Sequence, residues 1–380
     1  MSIYFDHNAT TPMDERVLDE MLPFLRVNYA NPSSIHSQGR IARNAINIAR
    51  EQIADLVNAH SSQVIFTSGG TEANNIAIKG SLRGMSLGAV VCSAIEHPSI
   101  RDVVKYFDGA ICNSELPVDS LGYVDKDALV EVCQREKQLL VSMMLANNET
   151  GLVQSISELT QVARTHNHFM HTDAVQAIGK MPVDFAELGV HLMTISAHKI
   201  YGPKGVGALI YDKSIDIEPI VHGGGQEKNI RSGTENVGAI VGFGKAASLA
   251  KSNLEKNQKY LLGLQQYFEE CLRQLPGIMI FAASADRLVN TTFFSVPGIA
   301  GETLLMQLDE YGIAVTSGSA CASKSDKPSH VLMAMGVDEQ IARNAIRVSF
   351  GLGNTKAEID KFFSVLISQL KLLGLLNTEV

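Results

Sequence analysis

In the stretch SGSACASKSDKPSH (Ser317 to His330), Cys321 sits among serines and alanines, with no apolar period and with lysines and a histidine downstream. A thiol so placed can be a packed core residue, a metal ligand or a nucleophile. Far upstream, LMTISAHKIYGPKGVGALIY places Lys199 three residues beyond a strand end at Ser196, between His198 and a glycine-rich return. Most lysines are solvated surface charges, yet one held at a strand end beside an anion cradle suits Schiff-base chemistry. The cradle has a candidate in VIFTSGGTEANNIAIKG, where a strand ends at Thr67, glycines follow, and Thr71-Glu72 opens a helix. Main-chain N–H groups and the helix dipole make such a turn an anion site, and the same pattern also serves as a plain tight turn. Asp173, just past a strand in HFMHTDAVQAIGK, could pair with a protonated pyridine nitrogen or simply cap a turn, with Gln176 nearby as a neutral donor.

The elements that must position these residues follow from periodicity. Apolar residues from Ile41 to Val57 fall on one face of a helix. Short β-rich runs then alternate with helical stretches: QVIFT, AVVCS, LLVSMML, HFMHT, LMTIS and VGALIY. Several are apolar almost throughout, as strands buried on both faces should be, so the alternation predicts a largely parallel sheet sheathed by helices. One long helical stretch is expected over 238–275, followed by shorter elements in NTTFFSV, GETLLMQLDEYG, IAVTS and IRVSF, and a last helix from about residue 355. Those shorter elements predict a smaller α+β domain.

Composition excludes several classes. The chain has 380 residues, 45% hydrophobic and 19% charged, and a net charge of -8, which disfavours direct nucleic-acid binding. No run approaches the length of about 20 apolar residues that crosses a membrane, and MSIYFDHNATTP shows no signal peptide, so a cytoplasmic protein is expected. The five cysteines form no C-x-x-C pair and read as reduced thiols; Cys92 and Cys112 lie in apolar runs, Cys133 and Cys271 in helical patterns. No metal site is expected: His166, His168 and His171 straddle a helix end and a strand. GFGKAA around Gly242 and Gly244 lacks the βαβ setting of a dinucleotide fingerprint and reads as helix packing, and GPKGVG lacks the G-K-[ST] ending of a P-loop.

Taken together, TSGGTEANN, HTDAVQ, SAHKIYGPKGVG and HGGGQEKNIRSGTEN resemble pyridoxal-phosphate enzymes of the aspartate-aminotransferase fold, and IEHPSI, LANNETG and SGSACAS narrow the resemblance to the NifS/IscS-type cysteine desulfurases. The likeness runs from DHNATTP to IRVSFG, almost the whole chain. It implies an α/β fold of PLP-dependent transferase type I, with a mainly parallel seven-stranded sheet flanked by helices. The large domain is expected over 15–252, and a smaller α+β domain over 1–14 and 253–380 that carries the cysteine segment. It further implies that Gly70, Thr71, Ser196 and His198 bind the cofactor phosphate, joined by Thr234 from the other subunit of a homodimer. Lys199 would carry the cofactor as a Schiff base, Asp173 pair with its ring nitrogen, Gln176 reach its phenolic oxygen, and Asn148 contact cofactor and substrate. His97 would stack on the ring and move protons, and Arg347 would hold the substrate carboxylate in its bidentate fork.

On that reading Cys321 is the nucleophile: its thiolate takes sulfur from L-cysteine, leaving L-alanine and a persulfide. Lys324, Lys327 and His330 are candidates to favour the thiolate. The rivals are a selenocysteine lyase or an aminotransferase with Cys321 incidental, and a sulfur-relay scaffold without catalysis. The chain's end at LLGLLNTEV, where many IscS-type members extend further, leaves the sulfur-acceptor protein open among iron–sulfur cluster assembly, tRNA thiolation, nitrogenase maturation and DNA phosphorothioation.

Overall fold

Six of the strand-like runs pair into one sheet. The computed structural model describes residues 2–109, 112–317 and 327–375. In chain order its strands are β1 (Ile3–Tyr4), β2 (Val64–Thr67), β3 (Ala89–Ser93), β4 (Cys112–Leu116), β5 (Leu139–Met144), β6 (Phe169–Asp173), β7 (Leu192–Ser196), β8 (Gly207–Tyr211), β9 (Met279–Ile280), β10 (Thr291–Ser295), β11 (Ile313–Ala314), β12 (Thr316–Ser317) and β13 (Ala345–Ser349). The seven-stranded sheet has the order β2-β8-β7-β6-β5-β3-β4. Only β8 runs against the rest, pairing antiparallel with both β2 and β7. Every residue of β3, β5 and β7 is buried, the consequence of helices covering both faces.

β4 has no counterpart in the sequence reading. Its residues, CNSEL, are mostly polar, and it pairs only with β3 at the sheet edge. Cys112, expected in an apolar run, is exposed there, because an edge strand buries little of its length. The expected helix over 238–275 is also two helices, Val237–Ser252 and Leu254–Arg273, broken at Asn253, whose backbone (φ -113°, ψ 9°) leaves the helical region. Gly242 and Gly244 do serve helix packing. A Cβ on Gly242 would meet Met21 Sδ at 2.5 Å, and one on Gly244 would meet Ala49 Cα at 2.6 Å.

A second, antiparallel sheet has the order β12-β13-β10-β9, beside a parallel pair of β1 with β11. Its core is aromatic: the Phe268 ring lies 5.1–5.8 Å from those of Phe294, Phe350, Phe362 and Phe363. The N-terminal segment ties the two sheets together. His7 N–H donates to Ser349 O at 3.2 Å, and Thr11 N–H donates to His198 O at 3.0 Å, directly beside Lys199. Among the described residues no helix is long and apolar enough to cross a membrane.

Candidate active site

The turn after β2 forms one wall of the site. Gly69 adopts φ 155° and ψ 179°, a region open essentially to glycine alone. Gly207 lets β8 pass beside it, since a Cβ there would lie 2.7 Å from the Gly69 carbonyl carbon. The helix Gly70–Asn75 starts at this turn, and a Cβ on Gly70 would lie 3.8 Å from Ser196 Cβ at the end of β7. Between the two lies a cavity of about 380 Å³ lined by Gly70, Thr71, Ser196 and His198, together with Thr10 and Lys204. Ser196 Oγ is buried there with no hydrogen-bond partner among the described residues. Burial, with the charges of Lys199, Lys204 and Lys180 behind it, pushes His198 down to about 4, so its ring is neutral near pH 7.

Lys199 ends the short turn Ala197–Lys199 after β7. Its Nζ donates to the main-chain carbonyls of Asn8 and, at 2.8 Å, Ala9. Gln176 Nε2 donates to the same Asn8 carbonyl at 2.9 Å. Asp173 stands at the C-terminal end of β6, where Oδ1 accepts from Val175 N–H at 2.9 Å and Oδ2 from Asn74 Nδ2 at 2.8 Å. The aspartate therefore closes the turn after β6 and holds Asn74 of the helix that follows β2. Asn74 Nδ2 also donates to Ser99 Oγ at 2.8 Å, and Ser99 Oγ lies 2.8 Å from His97 Nδ1. Ser99 N–H donates to that same Nδ1 at 3.1 Å, which puts the ring proton of neutral His97 on Nε2. Burial holds the His97 pKa below its ordinary value, with Asp173 opposing and Lys199 reinforcing the shift.

Arg347 and Asn148 meet on the other side. Arg347, on β13, is 5% exposed; its Nη1 donates to Asn148 O at 2.9 Å and its Nη2 pairs with Asp6 at 2.6 Å, while Nε is buried without a partner among the described residues. Part of the fork expected for a substrate carboxylate is thus held by Asp6. Thr234 stands apart from the cradle, exposed, lining a neighbouring cavity of about 230 Å³ that shares Ser68 and Gly205 with it. Cys321 and Lys324 lie outside the described residues. His330, which follows, is anchored by its Nε2 3.1 Å from Glu96 O, and Ser329 donates to the buried Glu149 carboxylate. The four other cysteines all have thiol pKa values pushed up: burial acts on Cys92, on Cys271 and on Cys133 (to about 11), and a hydrogen bond with Glu136 on Cys112. None is favoured as a thiolate. A larger cavity, about 740 Å³, lies behind Lys199 and is lined by His7, Lys180, Lys256 and Tyr260 among others. Among the described residues no group of three or more His, Cys, Asp or Glu is placed to hold a metal. Asn8, Asn74, Ser99 and Lys204 were given no role by the sequence reading, although each lies in a motif it quoted: DHNATTP, TEANN, IEHPSI and SAHKIYGPKGVG.

Residues 3–362 match the family model for aminotransferase class V. The chain belongs to the class V aminotransferase family. Among curated class V proteins, it is 43% identical to a cysteine desulfurase IscS of Dictyoglomus turgidum over 96% of this chain and 93% of the relative. A solved NifS-like protein superposes with a TM-score of 0.92 at 37% identity, covering 98% of this chain and all (100%) of the other. SspA in complex with cysteine superposes at a TM-score of 0.82 and 31% identity, over 92% and 99% of the two chains. Class V members use pyridoxal phosphate, and the residues here fit it. The orphaned Ser196 hydroxyl and glycine turn suit a phosphate, Lys199 supplies an amine, and Asp173 supplies a carboxylate at the strand end.

Proposed function

We propose that this chain is a pyridoxal-phosphate-dependent cysteine desulfurase, taking sulfur from L-cysteine and releasing L-alanine. The observation that carries this reading is the similarity to cysteine desulfurases along nearly the whole chain, joined to a cradle whose buried Ser196 hydroxyl lacks a partner. Gly70, Thr71, Ser196 and His198 would hold the cofactor phosphate, Lys199 its aldehyde carbon, Asp173 its ring nitrogen, and Gln176 its phenolic oxygen. Bound there, the cofactor supplies an electron sink for negative charge at the substrate α-carbon.

The chain's own residues do the rest. His97 would pack against the cofactor ring and, with its proton on Nε2, give and take protons. Arg347 and Asn148 hold the substrate carboxylate, which requires the carboxylate to share or displace Asp6 on the guanidinium. The Cys321 thiolate attacks the sulfur of the bound cysteine; a sulfur–sulfur bond forms and the carbon–sulfur bond breaks. L-Cysteine and a protein thiol thereby become L-alanine and a protein persulfide. A thiol of an acceptor protein then takes the outer sulfur.

The working unit of this proposal is a homodimer in the cytoplasm, with Thr234 of each subunit reaching the phosphate of the other. A run of exposed apolar residues supports it: Val27 (69% exposed), Tyr29 (81%) and Ile35 (92%) lie between the helices Glu15–Arg26 and Ser37–Leu56. Separate cores around Phe243 and Phe268 support the division into a domain over 15–252 and another over 1–14 and 253–380. The test is to supply the holoenzyme with L-cysteine and a reductant and to quantify alanine and sulfide. Equal yields are expected from the wild type and neither product from Cys321→Ser; sulfide release by the serine variant at the wild-type rate overturns the scheme.

A further inference from the structure

Lys180 ends the motif HTDAVQAIGK and has no part in the function proposed above. It is buried, at 6% exposure, and its Nζ donates to Gln176 Oε1 at 2.8 Å and Asn8 Oδ1 at 3.2 Å. The charges acting on it are those of Lys199 and Arg347, both cations, and among the described residues no carboxylate pairs with it. Burial, joined by those two charges, holds its pKa well below the ordinary lysine range. His7 and His198 also feel its charge, and Asp6 lies beyond, on Arg347. An amine buried among cations is destabilising, and an apolar side chain of similar length would fill the space without that penalty. Packing alone does not account for this lysine.

Its effect on Gln176 is directional. An amine hydrogen-bonded through its N–H groups, charged or neutral, draws the amide oxygen of Gln176 toward itself and leaves Nε2 pointing the other way. On that side Nε2 donates to the Asn8 carbonyl, which also accepts from Lys199. The carbonyl is therefore shared, whereas Lys180 fixes the amide from the opposite end.

We propose that Lys180 is a positioning residue that locks the Gln176 amide so that an N–H, never the C=O, faces the side of the site where Lys199 Nζ lies. This rests on the pyridoxal-phosphate reading, in which Gln176 serves an anionic oxygen; a flipped amide would set oxygen against oxygen.

The experiment titrates pyridoxal phosphate into apo-protein, following the bound cofactor's absorbance, for wild type, Lys180→Met, Gln176→Ala and the double variant, with thermal melts of each apo form. Lys180→Met is expected to weaken binding about tenfold, the worth of one hydrogen bond, while melting no lower than wild type. In the Gln176→Ala background the same change is expected to alter affinity less than about twofold, since nothing is left to lock. Lys180→Gln, which restores one N–H donor, is expected to recover most of the affinity. Three results overturn the inference: unchanged affinity in Lys180→Met, a full tenfold loss persisting without Gln176, or a lowered melt with affinity intact. Should Lys180→Met not fold, Lys180→Gln with and without Gln176 carries the same comparison. Wild-type protein that binds no pyridoxal phosphate would instead defeat the functional reading on which this rests.

Discussion

The cradle and the seam beside it are built in opposite ways. The cradle comes from short-range chain geometry at the ends of two strands that flank β8: the turn after β2 and the turn after β7. The seam is built from contacts distant in sequence. Asn8 Nδ2 donates to Thr291 Oγ1 at 2.8 Å and to Asn148 O at 3.2 Å, Asn8 Oδ1 accepts from Asn290 Nδ2 at 3.0 Å, and Asp6 pairs with Arg347. A rigid sheet can present a fixed anion site. The seam instead joins two cores through exchangeable polar contacts, and those contacts can re-form around a substrate carboxylate. The proposed roles follow this division, with the cofactor phosphate assigned to the cradle and the substrate carboxylate to the seam.

The comparison can be broken at either end. Lys199→Ala removes the cradle's amine and is expected to abolish both bound-cofactor colour and alanine formation, read by absorbance and amino-acid analysis. Colour lost with activity retained would show that the cradle is not the working site. Arg347→Lys keeps the seam's charge but loses the fork, so the KM for cysteine should rise about 10- to 100-fold with cofactor affinity unchanged. Loss of cofactor binding in that variant would erase the division. Asn8→Ala removes the hub of the seam and should lower stability by about 1–3 kcal/mol in chemical denaturation, leaving buried polar partners unmet. A pH effect is expected outside both regions, at Glu96, whose buried carboxylate accepts from Ser93 Oγ and from the Met144 N–H. Burial pushes the Glu96 carboxyl up to about 8, against 4.5 when unfolded, so through this window the native state keeps a proton that the unfolded chain has lost. Stability therefore falls as pH rises from 4.5 to 8, and Glu96→Gln should flatten that slope in urea midpoints measured across the window.

The same contrast explains what the sequence could tell. Central strands such as AVVCS and LMTIS were legible because burial on both faces leaves mostly apolar residues; β4 was not, since CNSEL sits at an edge and carries no period. Lys199, Asp173 and Gln176 stand at strand ends, where position is written in the local pattern. Asn8 acts through groups on residues more than 100 positions away, and no spacing rule reports such contacts; Lys180 sits four residues from Gln176, but its burial and its contact with Asn8 are not written in that local pattern. The pairing of Arg347 with Asp6 was hidden for the same reason: 341 residues separate the partners. The break at Asn253 was masked by apolar residues that keep helical spacing on both sides of it.

The central claim is that sulfur leaves cysteine onto Cys321. One turnover of the holoenzyme with sulfur-labelled L-cysteine, followed by peptide mass mapping without reductant, tests it directly. The account predicts one labelled sulfur on the peptide containing Cys321 for each alanine formed. Label on Cys112 or another thiol, or alanine formed with no labelled cysteine anywhere on the chain, would contradict it.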